Sequence, residues 1–186
     1  MVNVIRYSGD LPSKTNAMKS FIPLMAVLCC PLFVFCQDIT GLWKGTMLNE
    51  VSKQSLDYEI VISREKGKIS AYSYTWFVID EKKYYGVKKL NVRIAKDGKI
   101  VLQDAKLLDH NYPMAPYKEV LQLNVLDLAS QGSESTLNGL FVTNRTRHFK
   151  ELTGTINIKK VSPFSKSDLL SYLKQNSMEI DLTVSK

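Results

Sequence analysis

The chain has 186 residues, 45% hydrophobic and 23% charged. That suffices for one domain with a real core and excludes wholesale disorder. The net charge of +7 is spread along the chain, which argues for a mixed soluble surface and against a nucleic-acid footprint.

The chain starts with a stretch, residues 1–17, that has no hydrophobic period. Met18-Lys19 and the apolar run from Phe21 to Phe35 then resemble a bacterial secretory signal, basic first and apolar after, with cleavage expected after Cys36. The run is shorter than the roughly 20 apolar residues of a membrane helix and holds Pro23 and Pro31, so no stable membrane span is expected. A lipid anchor on Cys36 is disfavoured by Phe35, because a lipobox carries a small residue there. The expected location is secreted or periplasmic. Cys29, Cys30 and Cys36 are the only cysteines, so the remainder has no disulfide, thiolate metal site or cysteine nucleophile.

From residue 37 the pattern is that of short strands. Thr40 to Asn49 places Gly41, Trp43, Gly45 and Met47 on one face, the glycines leaving room for the indole. Leu56 to Ile62 alternates, with Leu56, Tyr58, Ile60 and Ile62 toward the core. A turn at Gly67 leads into Lys68 to Ile79, and Asp80 to Lys83 turns the chain into Tyr84 to Ile94. Asp97-Gly98 is a hairpin signal before Ile100 to Leu108. Asp109 to Tyr117, with two prolines, reads as a loop. Glu119 to Leu128 is apolar on both faces in places. Gln131-Gly132-Ser133 turns it into Thr136 to Thr143, and a basic loop from Asn144 to Lys150 precedes Leu152 to Val161. Pro163 to Gln175 changes to a helical period. Ser165 is placed to cap that helix, and Phe164 and Leu169 to form a hydrophobic staple. Eight strands with short connections predict an all-β, eight-stranded antiparallel up-and-down barrel with a short C-terminal helix. The organisation is residues 1–36 as extension and signal, 37–161 as barrel, and 162–186 as helix and tail.

Gly41-x-Trp43 at the first strand, eight strands and a following helix resemble the lipocalin and calycin family. The resemblance implies that Trp43 plugs one end of the barrel, with Gly41 beside it as a structural residue. Many lipocalins lay an arginine over that tryptophan from the last strand; Lys159 and Lys160 stand in that region here.

The candidate binding residues fall in two groups. Tyr72, Tyr74, Trp76, Tyr84 and Tyr85 crowd two neighbouring strands, and either line a pocket or pack as ordinary β-favouring side chains. Arg145 and Arg147, with His148 and Lys150, form the most basic loop. It is either a solvated turn or a rim that holds an anionic group. The two histidines, His110 and His148, read as loop residues without metal-ligand spacing, so no metal is expected. No nucleophile, base and oxyanion loop come together, so neither an enzyme nor a cofactor is expected. The chain reads as an exported, lipocalin-like protein binding a small hydrophobic or amphipathic ligand in its cavity. The alternative is a non-enzymatic interaction or envelope-assembly module with a filled barrel and functional loops.

Overall fold

The computed structural model describes residues 38–65, 67–113, 120–178, 180 and 182. The signal reading for residues 1–36 lies outside them, as do the end of the proline-containing loop, Glu119 and most of the tail. Eight strands follow in order: β1 Gly41–Asn49, β2 Ser55–Glu65, β3 Lys68–Ile79, β4 Lys82–Ile94, β5 Ile100–His110, β6 Gln122–Gln131, β7 Glu134–Thr143 and β8 Thr153–Val161. One helix, α1 Asp168–Gln175, comes after them. Each strand pairs antiparallel with the next and β8 returns to β1, giving a closed up-and-down barrel. Among the described residues no helix is long and apolar enough to cross a membrane.

The inner face follows from alternation. Trp43 and Met47 of β1, Tyr58, Ile60 and Ile62 of β2 and Ala71 of β3 are buried in one cluster with Leu102, Leu126, Leu137 and Ile158. Alternate residues point outward, so Leu42 and Val61 belong to a second cluster with Leu169 and Leu173 of α1. The helix is too short to hold alone; burying these leucines on the outer wall of β2 and β3 supplies what its own hydrogen bonds do not.

Trp43 is fully buried, and its indole N–H donates to the Ile39 carbonyl at 3.0 Å. That bond holds the incoming chain across the barrel end. Lys160 is the register partner of Trp43, and its Nζ stands 5.8 Å from the ring centroid. A lysine thus covers the indole. The two glycines of β1 also let neighbouring groups approach closely. A side chain at Gly45 would strike the backbone of Asn157 and Ile158, and one at Gly41 would strike the Lys160 stem.

The helix start also differs from expectation. Ser167, not Ser165, is the N-cap, its Oγ accepting from Leu170 N at 3.0 Å. Phe164 is 95% exposed and forms no staple. The physical reason is Glu59, buried on the outer wall of β2. Its carboxylate accepts from the Ser167 hydroxyl and, at 3.1 Å, from Leu169 N, and it pairs with Lys44 at 2.8 Å. A carboxylate at the first turn matches the orphan N–H groups there, and it fixes where the helix begins. Met178, Ile180 and Leu182 continue from α1 as partly buried residues against the outer cluster.

Candidate functional site

The two ends of the barrel are chemically different. At the Trp43 end the interior is closed by Ile39, Ile60, Ile62, Leu90, Ile100 and Ile158, all buried. At the other end lie the β1–β2, β3–β4, β5–β6 and β7–β8 connections, by the alternation of the strands. Toward that far end, polar side chains take the inward positions.

Lys88 is the register partner of inward Ser73, and its ammonium pairs with Asp104 inside the barrel. Asp104 also accepts from the backbone N–H of Gln122 at 3.0 Å. This bond spans a gap, because β5 and β6 pair only from Ile100 to Gln103 and then part. The Gln122 amide donates to Asn124 at 2.8 Å, and Asn124 donates to the Tyr58 hydroxyl at 3.2 Å. Burial, and then the Asp104 charge, push the Tyr58 phenol well above its ordinary range. The result is a polar chain linking β4, β5, β6 and β2. Asp104, Gln122 and Asn124 are buried, whereas the Lys88 side chain keeps 24% exposure although it points inward. Solvent therefore reaches the interior at this depth.

Above the polar chain is a ladder of rings. Tyr84 stacks on Phe77 (centroids 5.8 Å apart), Phe77 on Tyr112 (5.9 Å) and Tyr112 on His110 (5.2 Å). Gly86 makes the ladder possible, since a Cβ there would fall 1.9 Å from the Tyr112 hydroxyl oxygen. Burial, and secondarily Asp104, raise the Tyr112 phenol to about 12. The Nδ1 of His110 is buried without a hydrogen-bond partner.

His110 corrects its reading as a loop residue: it ends β5 and pairs with Gly86. Two register shifts between β4 and β5, at Val87/Lys88 and at Lys89/Leu90, carry that strand past Leu108. Each takes up an extra residue in β5 and bends it. The strand expected from Glu119 starts at Gln122 instead, and its inward face begins with Gln122 and Asn124 and turns apolar only at Leu126.

The expected binding residues divide between the two sides of the wall. Tyr84 lies on the inner face as the register partner of Phe77. Tyr72, Tyr74, Trp76 and Tyr85 are on the outer face, in the cluster that α1 covers. Tyr74 stacks flat on Tyr85 at 5.5 Å, and the Lys83 ammonium sits 4.3 Å over Trp76 while pairing with Asp168 of α1. These four side chains seat the helix and do not line the interior. Arg145 and Arg147 are exposed in the β7–β8 connection, on the same end as the ring ladder.

Lys88, Asp104, Gln122, Asn124 and Tyr112 were not singled out from sequence. The signal that identifies the first four is a polar residue at an inward step of an otherwise apolar alternation, as in Ile100-x-Leu102-x-Asp104. Among the described residues no three His, Cys, Asp or Glu side chains gather as a metal site requires. No protein-family model matches the chain, and no curated protein matches it in sequence.

Proposed function

We propose that this is an exported barrel protein that binds a small, partly apolar ligand in the far half of its interior. The observation that supports this reading most is the Lys88–Asp104 pair set inside the barrel with about a quarter of the Lys88 side chain still exposed. Eight strands enclose just enough space to fill with side chains or to hold one small molecule. A barrel serving only as a core gains nothing from an inward ion pair, which a pair of apolar residues replaces without loss. Polar groups at the floor and rings at the wall are the composition of a small-molecule pocket. The basic leader followed by an apolar run supports export.

The test is native mass spectrometry of the purified protein before and after solvent extraction, then after incubation with a panel of amphiphiles. A one-to-one adduct that extraction removes and incubation restores is the expected result. A chain that stays at its own mass throughout overturns the reading.

The interaction-module reading draws its support from the opposite outer wall. There Leu140 is 61% exposed beside Leu48 and Val142, which are also exposed, and among the described residues no helix covers them. Patches of this kind mark contact surfaces.

A further inference from the structure

We infer that the ligand of the far half is an uncharged planar ring compound carrying one hydrogen-bonding group, read by the ring ladder and by His110. This rests on the binding reading above and narrows it to a chemical class. Three observations carry it.

The first is the wall itself. Tyr84, Phe77, Tyr112 and His110 stack in series with interplanar angles of 29°, 20° and 24°. Rings stacked in series cover one another's faces and leave their edges along the side of the ladder, and an edge-to-face contact there favours the face of another ring over an alkyl chain. The second is charge. The inward ammonium of Lys88 already has its carboxylate in Asp104, and Asp104 has a further donor in Gln122 N–H. A ligand anion at this floor competes with Asp104 for Lys88, and a ligand cation competes with Lys88 for Asp104. A neutral ligand displaces neither. The third is the unpartnered Nδ1 of His110, buried at the end of the ladder. A buried polar atom without a partner is destabilising unless something completes it. A hydroxyl or ring N–H on the ligand does so, because a hydroxyl serves either tautomer of the imidazole.

The experiment uses three probes of similar apolar size: 2-naphthol, naphthalene and 1-decanol, titrated calorimetrically or by equilibrium dialysis into the full barrel. The expected order is 2-naphthol tightest. His110→Phe keeps a stacking ring and removes the nitrogen, so it weakens 2-naphthol about three- to tenfold, the worth of one neutral hydrogen bond, and leaves naphthalene unchanged. Gly86→Ala displaces Tyr112 and breaks the ladder, so it weakens both ring probes. Circular dichroism melts check that each variant is folded; if His110→Phe does not fold, His110→Leu replaces it and must lower 2-naphthol more than naphthalene. Equal losses of 2-naphthol and naphthalene in the histidine variant overturn the role of His110. Decanol binding as tightly as 2-naphthol overturns the ring preference and leaves the binding reading standing. Binding of none of the three, with no adduct in the amphiphile panel, removes both.

Discussion

The two halves of the barrel interior are built on the same strands and obey different rules. Around Trp43 the buried inward side chains are apolar, and stability comes from close packing, where each lost atom leaves a cavity. Around Lys88 and Asp104 the inward positions are polar, and stability depends on each group finding a partner. β4 shows the change within one strand. Leu90, toward Trp43, is buried in the apolar cluster, and Lys88, two residues earlier, is paired with a carboxylate. The lesson is that alternation determines which residues point inward, and that the chemistry of the inward residues then separates the part that holds the fold from the part available for binding.

Three changes sharpen that contrast. Trp43→Ala should have the largest effect, about 3–5 kcal/mol, by analogy with other large aromatic deletions. The indole is fully buried and its N–H holds Ile39. Urea denaturation measures this directly. An unchanged midpoint would deny that the apolar half carries the stability.

The polar half should respond as a pair. Asp104→Leu alone strands the Lys88 ammonium and frees the Gln122 N–H, for a loss of about 1–3 kcal/mol. The figure sits below that of a fully buried pair because the Lys88 side chain is one-quarter exposed. Adding Lys88→Met should recover most of that loss, since an apolar pair of similar volume replaces an ion pair nearly without penalty. A double variant as unstable as the single one would show that the two residues act separately.

The smallest effect is set by pH. Tyr112 and Tyr74 are both raised to about 12, Tyr112 by burial and then Asp104, Tyr74 by burial and then Asp168. An unfolded tyrosine ionises near pH 10, so between about pH 10 and 12 the unfolded chain sheds protons that the folded chain retains. Stability is therefore fully present below pH 10 and falls as pH rises through 12. Denaturation midpoints taken at pH 9 and pH 11 should show the loss, and Tyr112→Phe should make it shallower. An equal loss in that variant would remove Tyr112 from the account.

Much of the fold was legible because strand signals are local. The alternation of Leu56, Tyr58, Ile60 and Ile62 and the turn glycines Gly67 and Gly98, both with positive φ, predict strands where the structure has them. The facing of β3 was not legible, because both its faces carry residues that suit a core. Tyr72, Tyr74 and Trp76 lie outside only because α1, about a hundred residues later, covers them. The helix cap was missed for a similar reason: Glu59, which selects Ser167, is 108 residues away in sequence. The site was the least legible part. Its polar members come from four strands, and their meeting depends on two register shifts that no composition signals.

The closure of the barrel bears on how the chain reaches this state. Seven of the strand ladders join neighbours in sequence, and each can form soon after its hairpin turns. The eighth, which sets Leu42 against Val161 and Asn49 against Gly154, must wait for both ends of the sheet. Its entropy of closure grows with the length of the intervening loop, and non-local pairings of this kind slow folding. Until β8 docks, β1 is an open edge ready to pair with another chain. The interval before that last ladder zips is thus the window in which the protein is most exposed to aggregation, and it ends with the same step that places Lys160 over Trp43.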